Sequence, residues 1–253
     1  ILSGLVGSEM CIRDRLMSMA LALAGPVQAQ AARPAAKAWN LPADVELAYD
    51  LQGQIKGIRY SASSVLHWQT IEGGRQYRLR LDTKLPILGT RSQVSEGRIT
   101  AQGLSPDRYT EQMRRADSAT VDRAARQVTF NTDRPAQPWQ EGAQDRLSLM
   151  LQVGQSLRAN PKRYKTGDTV DLQVIGPRHA PDWQFRVDGV EKVKLPAGTV
   201  DAVKFTRLPR EANDDQVIEF WLSPTYRYMP VRVRWTEDGD RADQLLSRAT
   251  GLK

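Results

Sequence analysis

The sequence is poor in the side chains that most enzyme chemistry uses. It holds one cysteine and two histidines. Cys11 lies ahead of the apolar run read below as a cleaved leader, so the mature chain is expected to contain no thiol. That excludes a disulfide, a cysteine nucleophile and a thiolate metal site. His67 sits in Leu66-His-Trp68 and His179 in Pro177-Arg-His-Ala-Pro181, without the short spacing of a zinc pair. No Gly-x-Ser-x-Gly elbow and no glycine-rich phosphate loop occurs. A triad assembled from distant residues stays open, because its members need not be neighbours in sequence. The pairs Asp214-Asp215 and Glu237-Asp238 fall in polar, turn-like stretches and read as solvated loops. Glycosidase carboxyls must instead flank a cleft. No catalytic residue, metal ligand, cofactor site or cofactor is assigned. No apolar run reaches the roughly 20 residues that cross a bilayer, so no transmembrane segment is expected.

What the sequence does have begins at Leu16-Met-Ser-Met-Ala-Leu-Ala-Leu-Ala-Gly-Pro-Val-Gln-Ala-Gln-Ala31. A short apolar run, a Gly-Pro break and alternating small residues make the back half of a secretory signal peptide, cleaved after Ala29 or Ala31. The expected location is a bacterial periplasm. The cleavage region has no cysteine, so the product is not expected to be a lipoprotein. Residues 5–14, Leu-Val-Gly-Ser-Glu-Met-Cys-Ile-Arg-Asp, resemble one reading frame of a transposase adapter used in sequencing libraries. Residues 1–15 are therefore read as an assembly artefact standing in place of the true start. Residues 32–44, opening with Ala-Arg-Pro-Ala-Ala-Lys-Ala, are expected to form a disordered lead, and 45–253 a single domain.

The formal charge is +7, and arginines recur along the strands: Arg78, Arg80, Arg91, Arg98, Arg114, Arg115, Arg123, Arg126, Arg232 and Arg234. In an exported protein this favours a lipid or another anionic envelope component, such as phospholipid or lipopolysaccharide phosphates. Nucleic acid is set aside on location. Ordinary solvation of strand faces is the stronger account of the arginines. Any protein partner is left open.

From Val45 onward the hydrophobic pattern has period two, with turn signals about every ten residues, as in antiparallel β structure. Strands are expected at 45–51, 58–70, 76–85, 91–100, 108–115, 118–122 and 127–131. Others follow at 169–177, 183–187, 190–195, 200–208, 216–222, 227–236 and 241–248. Glu72-Gly-Gly-Arg75, Asp188-Gly189, Ala197-Gly198 and Asp238-Gly239 read as hairpin turns. Met229, Val231, Val233 and Trp235 should share one face, with Pro230 at a strand start, edge or bulge. One segment differs. Gly142–Asn160 places Leu147, Met150, Leu151, Gly154 and Leu157 at helical spacing, with Gln144 and Asp145 in the first turn and Asn160-Pro161 as the stop. Gln144 and Asp145 read as a structural polar motif that caps the helix and bonds to a neighbouring strand.

Several short motifs are similar to those of an exported bacterial family of unknown function, DUF3108. They are Ser95-Glu-Gly97, Gly103-Leu-Ser-Pro106, Gln144-Asp-Arg-Leu-Ser-Leu149, Phe185-Arg-Val-Asp-Gly-Val-Glu191, Leu195-Pro-Ala-Gly-Thr-Val-Asp-Ala-Val203, Glu219-Phe-Trp-Leu-Ser-Pro224 and Tyr228-Met-Pro-Val-Arg232. The resemblance runs from about Val45 to the C-terminus. It implies an antiparallel, β-rich exported domain and supplies no catalytic residue. By architecture alone the pattern is also similar to the half-barrel lipoprotein carriers of the envelope.

The expected fold is mainly β: one curved antiparallel sheet or half-open barrel with a single helix, about 142–160, against its concave side. Aromatic residues on the strands are the candidate ligand-binding set: Trp68, Tyr77, Trp183, Phe185, Trp221 and Tyr228. An ordinary packed core explains them too. Phe220 and Trp221 are adjacent, so one should leave the core side unless both faces are covered. The leading expectation is a non-enzymatic binder or carrier of a hydrophobic or amphipathic envelope ligand. A scaffold protein using strand edges or a basic face is the alternative. A hydrolase with a dispersed site is the third.

Overall fold

The computed structural model describes residues 42–86 and 89–252. The leader, the adapter-like stretch and most of the 32–44 lead lie outside the described residues. The end of that lead is ordered: the Pro42 carbonyl accepts the Trp68 indole N–H at 3.0 Å and the Ala43 carbonyl accepts the Thr70 amide at 2.8 Å.

Among the described residues, fifteen strands form one sheet. The N-terminal half runs β1 (Asp44–Ile55), β2 (Ile58–Ile71), β3 (Gln76–Leu85), β4 (Gly89–Thr100), β5 (Gly103–Gln112), β6 (Ala116–Asp122), β7 (Gln127–Phe130) and β8 (Gln137–Pro138). After β9 (Gln144–Asp145) and helix α1 (Ser148–Ala159) come β10 (Thr169–Ile175), β11 (Asp182–Leu195), β12 (Gly198–Arg207), β13 (Val217–Ser223), β14 (Met229–Glu237) and β15 (Asp240–Thr250). The order across the sheet is β8-β7-β6-β5-β4-β3-β2-β1-β15-β14-β13-β12-β11-β10-β9. The chain thus meanders outward from β1 to one edge, then returns from the other edge to pair β15 with β1. Every pairing is antiparallel except β9 with β10.

The ladder does not close into a barrel, but side chains bridge its two edges. Gln173 on β10 donates to the carbonyls of Pro138 (2.8 Å) and Ala180 (3.1 Å) and accepts the Gln140 amide at 2.8 Å. Gln137 on β8 accepts the Ala180 amide at 2.7 Å. Beneath this seam Ala119, Val121, Val128, Ala143, Ile175 and Ala180 form a small apolar cluster. Edge groups that would otherwise face water or another chain are thereby satisfied.

The sheet wraps around α1. Leu149, Leu151, Val153, Gly154, Gln155 and Leu157 of the helix are buried. Each large apolar side chain so placed contributes about 1.5–3 kcal/mol. Gly154 lets the helix approach the turn before β14: a Cβ there would sit 2.2 Å from the Tyr228 carbonyl oxygen. The helix stops at Asn160, whose extended backbone (φ −148°, ψ 96°) suits a residue before proline.

Four local expectations are corrected. The helix starts at Ser148, not near 142, because Gln144-Asp145 pairs with Val174-Ile175 as strand β9. Asp188-Gly189 is not a hairpin turn but a bulge inside the continuous strand β11, with Gly189 at φ +107°. Strand β5 begins at Gly103, five residues before the expected 108, because Pro106 sits at a bulge opposite Gly97. A bulge between Trp221 and Leu222 on β13 faces Val231 on β14, so Met229 packs with Trp221 and Val231 while Val233 joins Phe220.

Candidate functional site

Cross-strand neighbours share a face, so the register defines rows across the concave side. One row runs Leu47, Leu66, Leu81, Gln93, Glu111 over β1 to β5. It begins apolar and ends charged. At its apolar end lies a slot between helix and sheet lined by Tyr49, Leu66, Leu81, Leu147, Met150, Leu151, Pro230, Val233 and Gln244. Its free volume is about 20 Å³, room for about one water and far too little for a ligand chain. Helix α1 therefore fills the trough.

At the charged end Glu111 accepts from Arg91 (2.8 Å), Arg146 (3.0 Å), Gln93 (3.2 Å) and the Tyr109 hydroxyl (2.7 Å). Burial opposes ionisation of Glu111, but Arg91 and then Arg146 outweigh it and hold its carboxyl at about 2. The Arg91 side chain is 44% exposed and that of Arg146 27%, so this is a wet, cationic mouth beside the apolar slot.

The next row on the same face, Trp68, Leu79, Ser95, Tyr109, carries a second polar group. Asp145 accepts the Ser95 hydroxyl at 2.5 Å and the amides of Leu147 (2.9 Å) and Ser148 (2.8 Å). Ser95 Oγ lies 3.0 Å from the Tyr77 hydroxyl, and the Ser148 hydroxyl accepts the Asp145 amide at 2.9 Å. Tyr77, Ser95, Asp145 and Ser148 are all fully buried. Burial outweighs these hydrogen bonds and pushes the Asp145 carboxyl up to about 6. Burial, then the nearby Asp145, raises the Tyr77 phenol as well. Gln144 donates to the Leu104 carbonyl at 2.8 Å. Asp145 thus holds the first amides of the helix and ties them to β4, Gln144 bonds β5, and both side chains are buried.

The aromatic candidates divide among three environments. Trp68 stacks on Tyr77 with centroids 5.5 Å apart. Trp183 and Phe185 meet edge to face, and Phe185 continues to Phe220 and Phe205. Tyr228 packs, half-buried, against that second cluster. Trp221 points the other way and is 1% exposed, so both faces of β13 are covered. Lys204, Arg232 and Arg234 lie over its ring, and its indole donates to Glu191 at 2.5 Å. None of the six lines the slot. The residues at the mouth, Arg91, Tyr109, Glu111 and Arg146, were not singled out as a site by the sequence. The alternation of Tyr109 with Glu111 was the available signal.

Among the described residues, no group of three or more His, Cys, Asp or Glu is placed to hold a metal ion. His67 faces Glu46 at 3.6 Å on an exposed strand surface. No described helix is long and apolar enough to cross a membrane.

A half-open, barrel-like sheet closed by side chains around one helix defines the class. The model of the protein family of unknown function DUF3108 matches residues 48–242, and the chain belongs to that family. No curated protein matches the sequence. Among solved structures the chain is similar to a β-barrel-like DUF1849 protein from Brucella abortus, at 11% identity and TM-score 0.53, over 83% of this chain and 98% of that one. It is also similar to a protein named as exported, with a YmcC-like fold, from Bacteroides fragilis (13% identity, TM-score 0.35, 84% and 99% covered). A domain named for outer membrane lipoprotein sorting from Vibrio parahaemolyticus matches at 11% identity and TM-score 0.29, with 83% and 87% covered. Of these three, the first is near enough to show the fold, and its low identity shows nothing of activity.

Proposed function

We propose that this is an exported, periplasmic, non-enzymatic binder of an amphipathic envelope ligand. The ligand's apolar part lies along α1 in the trough, and its anionic head meets Arg91 and Arg146. The observation that carries this reading is the row Leu66, Leu81, Gln93, Glu111, which joins an apolar slot to a cationic mouth on one concave face. Because the slot holds almost no free space, α1 is the resident occupant and must shift for a chain to enter. Its helix-to-sheet contacts are dispersive apart from the Asp145 anchor and the Gln152 bonds to Leu104 and Gln102. A scaffold role through strand edges draws less support, since the edge strands β8 and β9 are two residues long, the seam bonds hold β8, and Gln144 of β9 bonds the Leu104 carbonyl. Arg232 and Arg234 are likewise occupied by Asp243.

The test is gentle purification from a bacterial periplasm, organic extraction and mass spectrometry, with native mass spectrometry for stoichiometry. A lipid near one per chain is expected in the wild type, and Val233→Trp, which fills the slot from a half-buried position, should lower its occupancy. A clean monomer that also fails to take up a fluorescent fatty acid would sink the reading.

A further inference from the structure

A second recess lies away from the trough. It is a cleft of about 400 Å³ at the end of the seam, lined by Arg115, Asp117, Thr132, Asp133, Arg134 and Arg178. Its polar lining has a definite construction. Asp117 accepts both Nε (3.0 Å) and Nη2 (2.6 Å) of Arg178, while Arg115 Nε approaches its other oxygen at 3.5 Å. One carboxylate, 13% exposed, therefore holds two guanidinium groups side by side, and their side chains remain 58% and 74% exposed. The wall opposite is fixed by Asn131, which accepts the Ser118 amide at 2.7 Å and donates to the Ala116 carbonyl at 2.9 Å. Beyond it, Thr132 Oγ1 is buried and has no hydrogen-bond partner. Arg134 makes no hydrogen bond or ion pair among the described residues.

We infer that this cleft is a binding site for a phosphate group, held by Arg115, Arg134 and Arg178 with the Thr132 hydroxyl as a further donor. Three guanidinium groups against two carboxylates leave net positive charge where donors converge. A tetrahedral, multiply charged oxyanion offers enough acceptor oxygens to satisfy them, which one carboxylate does not. The field extends around the seam: burial and then the charges of Arg146, Arg210 and Arg134 hold the neighbouring His179 imidazole below its ordinary range. The recess exceeds a bare phosphate in volume, so it admits a phosphorylated sugar or the phosphate head of a lipid. The site shares no residue with the slot or its mouth and does not rest on the carrier reading.

The decisive variant is Arg134→Gln, since that guanidinium supports no other described residue and its loss leaves the seam intact. Pyrophosphate binding is measured by titration calorimetry, and flotation is measured with phosphatidylcholine vesicles containing or lacking phosphatidic acid. Arg78→Gln, on an exposed strand face, controls for net charge. One-to-one pyrophosphate binding weakened about tenfold or more by Arg134→Gln, with Arg78→Gln unchanged, supports the site. Flotation that depends on phosphatidic acid and on Arg134, without pyrophosphate binding, supports it and assigns the phosphate to a lipid. Equal weakening by both variants, or no binding of either probe, overturns it. A lipid retained in the trough would survive Arg134→Gln, so the two proposals fail separately.

Discussion

Asp145 and Glu111 sit against neighbouring rows of one concave face, both packed among protein atoms, yet they are driven in opposite directions. Burial pushes Asp145 up to about 6, whereas two arginines hold Glu111 near 2. The difference lies in what completes each site. Asp145 is ringed by neutral donors, Ser95 and two helix amides, that satisfy its oxygens without cancelling its charge. Glu111 is ringed by cations and reaches water. A dry network of neutral donors around one buried carboxyl fixes a helix, and a wetter one built on ion pairs faces solvent.

The largest effect should come from removing the anchor. Asp145→Ala leaves two helix amides and a buried hydroxyl unpaired, and should cost about 3–5 kcal/mol in urea unfolding. Asp145→Asn keeps an acceptor for the amides and removes a buried charge, so its cost at neutral pH should be far smaller. Equal costs would show that the charge itself holds the helix.

The pH dependence should separate the two carboxylates. Asp145 has a folded value above its ordinary 3.8, so its contribution is full below about 3.8 and is lost as pH rises to about 6. Glu111 has a folded value below its ordinary 4.5, so its contribution is full above about 4.5 and is lost as pH falls toward about 2. Between pH 4 and 7, Asp145→Asn should therefore gain on the wild type by up to about 3 kcal/mol. Glu111→Gln should lose its disadvantage only below about pH 4. Asp145→Asn and wild-type curves that stay parallel from pH 4 to 7 would contradict the first assignment, and Glu111→Gln and wild-type curves that stay parallel as pH falls from about 4.5 to about 2 would contradict the second.

Gly154→Ala comes next. Alanine favours a helix by about 1 kcal/mol over glycine, but here its Cβ would meet the Tyr228 carbonyl at 2.2 Å. A net loss of about 2 kcal/mol in thermal or urea unfolding is expected, and a gain would mean that α1 is loosely seated.

These contrasts show what a sequence can carry. Strand β3 reads correctly at both ends because Tyr77, Leu79 and Leu81 alternate with Arg78 and Arg80, and the hairpins at Gly73 and Gly239 need positive φ. Period two reports which residues share a face, not which face is concave. Arg91 and Glu111 therefore look like solvated strand residues until the sheet curls around them. Asp188-Gly189 has the composition of a turn, but a glycine at positive φ serves a bulge equally well. The true helix start depended on β9 pairing with β10, a contact about thirty residues away in sequence that no local pattern encodes. Asp145 accepts the Leu147 and Ser148 amides from strand β9 rather than from the first turn expected of it, Gln144 bonds the Leu104 carbonyl instead of a helix amide, and Ser95, the distant partner, was visible only as part of a family motif.

Tyr77→Phe makes the smallest change and the finest test of the dry network. The hydroxyl lies 3.0 Å from Ser95 Oγ, and its removal takes one neutral hydrogen bond while the ring keeps its stack on Trp68. Ser95 still donates to Asp145, so no donor is orphaned and the loss should be about 1 kcal/mol. Ser95→Ala removes the group that touches the carboxylate and should cost more than Tyr77→Phe. It should also raise the Asp145 pKa further, read by carboxyl carbon NMR, because a donor to the charged form is gone. If the phenylalanine variant moved that pKa as far as the alanine variant did, Tyr77 rather than Ser95 would be the group that sets the charge state of the anchor.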